Sequence, residues 1–171
     1  EVINLGRDGL LLITDGLQPN GVAEGIPFRY AVSLLTHYST TKEEKAKIEQ
    51  AYLVALKKST NAEVKAYFID NLKLVGSNES VAVLKNYIGD KDSYDQAISA
   101  LVAIGTEDSK KTIADALPNQ SAPAQVRLIK AVGELKYLPA LASITTFTSN
   151  NNILLKRQAL WTVALLADAS S

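Results

Sequence analysis

The sequence predicts an all-α protein in which about five pairs of helices stack into a right-handed solenoid. One observation is a recurring pattern of an apolar helix, a glycine and the polar start of another helix, found in residues 72–84 and again in residues 101–113. A second is that the apolar residues within each copy follow the period of a helix and not the alternation of a strand. Together they are the signature of a helical repeat.

The recurrence is clearest at a single apolar position. Leu72, Leu101, Val132 and Val163 occupy it at steps of 29, 31 and 31 residues. Around this position the apolar side chains fall three or four residues apart, which places them on one face of a helix. The clearest stripes are Val64, Phe68, Leu72 and Val75, and Ala97, Leu101 and Ile104. Because a hairpin of two short helices cannot bury its apolar stripes alone, successive hairpins are expected to stack.

Each repeat is predicted to contain a first helix, A, and a second helix, B. The A helices are predicted over residues 42–58, 79–88, 108–117 and 137–148. The B helices are predicted over residues 27–38, 61–75, 92–104, 122–135 and 152–168. The repeats thus occupy residues 27–168 of a single domain that spans residues 1–171.

Residues 1–26 are predicted to be an irregular segment before the repeats. Their apolar residues allow a distorted helix at most, because Gly6 and Gly9 disfavour a helix interior. The stretch GLQPNGVAEGIP that follows has the composition of a loop. The apolar residues of the segment are Val2, Leu5, Leu10, Leu12 and Ile13.

Helix boundaries carry signals of their own. Thr41 with Glu44, and Thr60 with Glu63, match the capping box, in which a hydroxyl and a carboxylate bind free amides at the start of a helix. Glycines are expected where helices end, because glycine accepts a left-handed conformation. The expected stops are Gly76, Gly89 and Gly105.

The composition argues against several classes of function. The 18 basic and 18 acidic residues cancel, so the chain lacks the positive field that supplies most non-specific affinity for nucleic acids. There is no cysteine for a disulfide or a thiolate metal site, and no apolar run approaches the roughly 20 residues of a membrane span. Since the chain begins with Glu1 and contains no methionine, we expect it to be a processed or excised piece of a longer product.

Candidate catalytic and metal-binding residues lack partners. His37 is the only histidine, and no second histidine or cysteine accompanies it, so we expect a structural or surface role. The mixed lysines and glutamates of KEEKAKIEQ, residues 42–50, are typical of a helix face in contact with water. We therefore predict no enzyme activity, no cofactor and no metal.

An acidic cluster in residues 89–95, GDKDSYD, suggests calcium but fails the pattern of a calcium-binding loop. Counted from Asp90, that loop needs an oxygen ligand at its fifth position and a glutamate at its twelfth, where this chain has Tyr94 and Leu101. Asp92 and Ser93 are expected instead to cap the helix that follows.

The B helices EVKAYFIDNLKLVG and AQVRLIKAVGEL, each preceded by an A helix and a turn, resemble the HEAT-like repeat in its short form of about 30 residues. The run from TNAEVKAYF through IADALP resembles in particular exported bacterial HEAT-repeat proteins, some of which are joined to sugar-acting domains. The resemblance covers residues 27–168. It implies that the B helices line a concave docking face and that the protein lies outside the cytoplasm, in the periplasm or at the cell surface.

Equivalent positions of successive B helices then form two rows along that face. The first row is Tyr30, Tyr67, Gln96, Arg127 and Gln158, and the second is Ser33, Asp70, Ser99, Lys130 and Trp161. Tyrosine, arginine and tryptophan dominate binding hot spots, so the rows are the candidate partner site. An alternative is that Tyr30 and Tyr67 pack at the edge of the core.

These features predict a non-catalytic interaction or scaffold module that binds another protein or another domain of the same chain. A second hypothesis is that the solenoid supports an exported carbohydrate-active enzyme whose active site lies outside these residues. A third is a lyase-like solenoid that holds a small ligand in its concavity, which would require an apolar pocket. The three hypotheses share the fold and differ in what the concave face contacts.

The last predicted helix, residues 152–168, is the most apolar of the chain and has only three residues after it. End repeats normally carry a polar outer face, and this helix has none. We therefore expect the natural protein to continue past Ser171 with at least one more helix packed on this one. We also expect the 171-residue chain to associate with itself through this helix as a consequence of truncation.

Overall fold

Every regular element in the part of the chain described by the computed structural model, residues 6–168, is helical. Ten α-helices and several single 3-10 turns occur in this range, without a strand, so the predicted all-α class is confirmed. The helices are α1 (Gly6–Asp15), α2 (Ile26–Tyr38), α3 (Lys42–Lys58), α4 (Ala62–Val75), α5 (Asn78–Leu84), α6 (Tyr94–Ile104), α7 (Glu107–Ala116), α8 (Ala122–Glu134), α9 (Leu141–Thr146) and α10 (Ile153–Asp168).

Helix α1 is more regular than predicted. It runs unbroken from Gly6, which has a left-handed φ of 66°, to Asp15. Leu10 and Thr14 are buried four residues apart, and α1 packs against α3. Tertiary contact along this stripe outweighs the low helix propensity of Gly9. Val2 and Leu5, which belonged to the same predicted segment, lie outside the described residues.

Helices α5 and α9 are shorter than predicted, and 3-10 turns adjoin α5, α7 and α9. Lys85–Tyr87 extends α5, Leu117–Asn119 extends α7, and Leu138–Ala140 and Phe147–Ser149 flank α9. Two of these turns contain proline, at residues 118 and 139, which has no amide hydrogen to donate to a helical carbonyl. Pro139 accounts for the late start of α9 within the predicted helix 137–148, whereas the turn Lys85–Tyr87 divides the predicted helix 79–88 without a proline.

One of the two predicted capping boxes is present. The Thr41 hydroxyl accepts from the Glu44 amide at 3.2 Å, and the Glu44 carboxylate accepts from the Thr41 amide at 3.0 Å. The second prediction, Thr60 with Glu63, is wrong by one residue. Asn61 caps α4 instead, and its side-chain oxygen accepts from the Val64 amide at 3.1 Å. Glu63 is consequently available for contacts with other helices.

The predicted glycine stops also differ among themselves. Gly105 ends α6 in the left-handed conformation, with a φ of 64°. Gly76 ends α4 in an extended conformation, and a Cβ there would lie 2.5 Å from the Leu72 carbonyl oxygen. The prediction of a left-handed stop is thus confirmed for Gly105 and wrong for Gly76, where close approach of the backbone requires glycine. Gly89 likewise has no positive φ.

The helices pack in a regular order. Helix α2 contacts α4, α4 contacts α6, α6 contacts α8, and α8 contacts α10. Among the odd-numbered helices, α1 contacts α3, α3 contacts α5, and α5 contacts α7, while each odd-numbered helix contacts the even-numbered helix that follows it. Every even-numbered helix therefore has equivalent neighbours, except where the series ends.

The core lies between the odd-numbered and the even-numbered helices. Tyr52 of α3 and Phe68 of α4 are its largest side chains, with ring centres 5.5 Å apart. The Tyr52 hydroxyl lies 2.9 Å from the Val32 carbonyl oxygen and 2.7 Å from the Thr36 hydroxyl. Burial raises the pKa of Tyr52 far above its ordinary value. The hydroxyl is thus a neutral group that joins α3 to α2 inside the core.

Candidate interaction face

The candidate residues all lie on even-numbered helices. Because these helices contact one another in sequence, the candidates lie on successive neighbouring helices, and we call this set of residues the even-helix face. In chain order its residues are Tyr30 and Ser33 on α2, Tyr67 and Asp70 on α4, Gln96 and Ser99 on α6, Arg127 and Lys130 on α8, and Gln158 and Trp161 on α10.

Four of the candidates are exposed. Tyr30 is 68% exposed and Trp161 is 67% exposed, and Asp70 and Lys130 are exposed between them. The other candidates are partly buried. The sequence could not separate the two groups, since the same position is exposed on one helix and held against a neighbour on the next.

Tyr67 belongs to the partly buried group and connects α4 to α2. Its hydroxyl donates to the Arg29 carbonyl at 2.9 Å, and the Arg29 guanidinium lies 4.8 Å from the centre of its ring. The Arg29 side chain also binds Glu63 at 2.7 Å and the Gln18 carbonyl at 3.0 Å. Burial raises the pKa of Tyr67. The alternative of a tyrosine at the edge of the core therefore holds for Tyr67 and not for Tyr30.

Arg127 makes an equivalent connection between α8 and α6. Its guanidinium donates to Asp95 at 3.0 Å and to the Ser99 hydroxyl at 3.1 Å, both on α6. Within α8 it also donates to Glu134 at 3.3 Å. Glu134 in addition lies 3.6 Å from the Lys130 ammonium. Arg127 thus holds two neighbouring helices together with donors that were expected to be free for a partner.

Arg29, Glu63 and Asp95 take part in these contacts and were not singled out from the sequence. Glu63 had been assigned to a cap, and Asp95 to a water-exposed acidic cluster. Their partners lie 34 and 32 residues away, on the neighbouring even-numbered helix. A carboxylate and an arginine one repeat apart on the same helix face are the signal that could have identified them.

Glu49 of α3 is a buried carboxylate that the sequence analysis assigned to a water-exposed face. One of its oxygens accepts from the Ser77 amide at 2.7 Å and the Ser80 amide at 3.0 Å, and also from both serine hydroxyls. It therefore binds the free N–H groups at the start of α5, where the helix dipole favours a negative charge. The prediction was wrong because the charge pattern of residues 42–50 does not show which glutamate faces the next helix.

The other polar candidates have ordinary local partners. His37 is exposed, with its Nδ1 atom 2.8 Å from the Ser33 carbonyl oxygen one turn earlier. Asp90 accepts from the Asp92 amide at 2.8 Å, and Ser93 precedes α6 without a side-chain capping bond, so the predicted cap by Asp92 and Ser93 is wrong. Across residues 6–168, no three His, Asp or Glu side chains converge as a metal-binding group would.

An apolar cavity of about 470 Å³ lies away from the even-helix face. It is lined by Leu10 and Leu11 of α1 and by Ala46, Ala51 and Val54 of α3. A more polar cleft of about 630 Å³ lies between the α5 and α7 regions. Both are lined by residues of odd-numbered helices and of the turns beside them, apart from the predicted rows on the B helices.

Within residues 6–168, no helix combines the length and the hydropathy needed to cross a membrane. Comparison with protein-family models finds no match for this chain, and comparison with curated proteins finds no relative.

Proposed function

We propose that this chain is a non-catalytic interaction module, a right-handed HEAT-like solenoid that binds another protein, or another domain of its own chain, along the even-helix face. The observation that carries the proposal is the exposure of Tyr30, Asp70, Lys130 and Trp161 on four helices of one contiguous series. Exposed aromatic and charged side chains on adjacent helices give a partner several anchor points in a single surface.

The solenoid component of the proposal is supported by the order of the contacts. Each even-numbered helix packs on the next, and three contacts between successive odd-numbered helices, from α1 to α7, accompany them. The apolar position at Leu72, Leu101 and Val132 is fully buried in three successive even-numbered helices. Regular neighbour contacts with a regular repeat are the arrangement that a solenoid requires.

Two of the partly buried candidates, Tyr67 and Arg127, hold neighbouring even-numbered helices together. Tyr67 with Arg29, and Arg127 with Asp95, connect neighbouring even-numbered helices. Because these bonds form within the chain, they already restrict the side chains of the even-helix face. A partner would therefore lose less conformational entropy in ordering them on binding. We therefore assign partner contact to Tyr30, Asp70, Lys130 and Trp161, and a positioning role to Tyr67 and Arg127.

The test is an affinity capture from the native organism with the intact protein as bait. Three baits are compared: wild type, a Tyr30→Ala/Lys130→Ala variant of the even-helix face, and a Lys111→Ala control on α7. We expect proteins held by wild type and control to be lost with the face variant, while its melting temperature stays nearly unchanged, since exposed substitutions usually cost less than about 0.5 kcal/mol. Equal capture by all three baits would refute the proposed face.

The proposal also places the protein outside the cytoplasm, in the periplasm or at the cell surface, on the basis of the resemblance to exported HEAT-repeat proteins. Fractionation of the native organism with an antibody to the chain tests this separately. Recovery in the cytoplasmic fraction would refute the proposed location but would not affect the proposed binding face.

A further inference from the structure

Helix α10 has an apolar side that no described residue covers. It contacts α8 and α9, and its buried residues, Leu155, Ala159, Thr162 and Leu166, face them. On the remaining surface five large apolar side chains are between 42% and 70% exposed. They are Ile153, Leu154, Leu160, Trp161 and Leu165. A contiguous apolar surface of this kind is characteristic of an interaction site.

The repeat shows what this surface lacks. Leu160 occupies the position held by Ile69, Ile98 and Ile129 in the three preceding even-numbered helices, and all three isoleucines are fully buried. Leu160 is 52% exposed. Helix α10 covers Ile129 of α8, and the Thr162 hydroxyl of α10 donates to the Ile129 carbonyl at 3.1 Å. By analogy, a helix packed on α10 would cover Leu160.

We propose that this helix is α10 of a second copy, paired antiparallel across a two-fold axis. Four exposed residues, Arg157, Trp161, Ala164 and Asp168, follow one another at helical spacing and form a single stripe. Two such stripes can run antiparallel with the two-fold axis between residues 162 and 163. Residue 157 of one copy then lies opposite residue 168 of the other, and residue 161 lies opposite residue 164. A two-fold interface requires this kind of self-complementary surface.

Charge is complementary in this register. Arg157 of one copy lies opposite Asp168 of the other, so the axis generates two pairs of opposite charge, one at each end of the contact. Arg157 makes no ion pair with any residue in the described range. In a parallel pairing each arginine would instead face the other arginine, and like charges held together are unfavourable.

Side-chain size is complementary as well. Trp161 of one copy lies opposite Ala164 of the other, so each indole ring packs over a small residue. Leu160 lies opposite Leu165, which places apolar side chains on both flanks of the stripe. The same register therefore covers the two largest exposed groups at the centre of α10, Leu160 and Trp161, without placing an unpaired charge between them.

This pairing is independent of the proposed function, because α10 can associate with no other partner bound. It would join the even-helix faces of two copies at their α10 ends. Because the pairing covers Trp161, a dimer leaves Tyr30, Asp70 and Lys130 for the partner, and the partner face is tested at Tyr30 and Lys130, which are on α2 and α8. Failure of one proposal thus leaves the other intact.

The test measures self-association of the 171-residue chain by sedimentation equilibrium, with four variants. Arg157→Glu and Asp168→Arg each place like charges at both ends of the contact, and the double variant restores opposite charges. Lys111→Glu on α7 is the control that changes net charge by the same amount as Arg157→Glu. We expect a wild-type dimer, a dissociation constant raised at least about tenfold in each single charge reversal, recovery in the double variant and no effect of the control.

Trp161 supplies a second measurement on the unmodified chain, since it is the only tryptophan. Its emission should shift to the blue as protein concentration rises and the dimer forms. Far-UV circular dichroism establishes that each variant is folded. A monomer with concentration-independent emission at about 100 µM would overturn the proposal, since specific protein pairs of standard size reach micromolar affinity or better. Oligomers larger than two, or a double variant as weak as the single variants, would also overturn it.

Discussion

Ile129 of α8 and Leu160 of α10 occupy the same position in two successive repeats, and their surroundings differ completely. Ile129 has no exposed surface, whereas Leu160 is 52% exposed. Both are branched aliphatic residues on an even-numbered helix, and each follows the preceding repeat by 31 residues. The difference lies in the next helix, since α10 covers α8 and no described element covers α10 in the same way.

The comparison shows that a repeat pattern specifies the kind of side chain and not its burial. A leucine contributes to folding only when it leaves water, and that depends on a neighbour supplied by another part of the chain or by another molecule. The interior of the series should therefore be sensitive to substitution and its α10 end tolerant. The following predictions test that contrast.

The largest effect is expected for Ile129→Ala compared with Leu160→Ala. Truncation of the buried isoleucine should lower the free energy of unfolding by about 2 to 5 kcal/mol, because it removes apolar contact and leaves a cavity. The exposed leucine should cost less than about 0.5 kcal/mol in the monomer. Urea unfolding followed by circular dichroism at low protein concentration measures both. Equal losses would show that Leu160 is covered within the single chain.

A second contrast concerns the polar groups that start helices in the interior and at the end. Glu49 is buried and binds the start of α5, whereas Asn152 is exposed and accepts from the Leu154 amide at 3.0 Å at the start of α10. Glu49→Ala should cost on the order of 3 kcal/mol, since it leaves the buried amide and hydroxyl of Ser80 without this acceptor. Asn152→Ala should cost about 1 kcal/mol, the usual value for a cap.

The Glu49→Gln variant refines this prediction. It keeps an acceptor of similar shape and removes the negative charge, so its loss should fall between that of wild type and that of Glu49→Ala. Thermal unfolding of the three proteins gives the order. A Glu49→Gln variant as stable as wild type would mean that shape alone, and not charge at the helix start, accounts for the role of Glu49.

A smaller contrast compares two motifs that look alike in the sequence. Thr41→Ala removes a capping hydroxyl and should lower stability by about 1 kcal/mol. Thr60→Ala should change it by less than about 0.5 kcal/mol, because Asn61 is the residue that caps α4. Chemical denaturation of the two variants in parallel decides between them. A large loss of stability in Thr60→Ala would show that Thr60, and not Asn61, caps α4.

The smallest expected effect is the pH response of the same cap. Hydrogen bonds from the backbone amides of Thr41 and Thr40 lower the pKa of Glu44 below its ordinary value. A lowered carboxyl pKa stabilises the folded state above the pKa of the unfolded chain, and this contribution is lost as pH falls through the folded pKa. An NMR titration of the Glu44 carboxyl should therefore give a lower midpoint in folded than in urea-unfolded protein. Identical midpoints would contradict the cap.

Much of the helix order could be predicted because it depends on local sequence. The period of about 30 residues placed α2, α3, α4, α6, α7, α8 and α10 within about two residues of their observed limits, whereas the predicted α5 and α9 are divided in the structure. The candidate site was predicted less well. Tyr67 and Arg127 were expected to be free, yet both bind the preceding even-numbered helix. Such bonds join residues about one repeat apart and have no local signature.

By itself, the sequence determined that residues 27–168 form a series of helices, where most of them begin and end, and which faces are apolar, because these properties depend on neighbours three or four residues away. Only the tertiary structure decided that Glu49 is buried, that Asn61 and not Thr60 caps α4, and that Leu160 is exposed where Ile129 is not. In each case the outcome depends on which side chains from elsewhere in the chain surround the residue, and a local pattern does not contain that information.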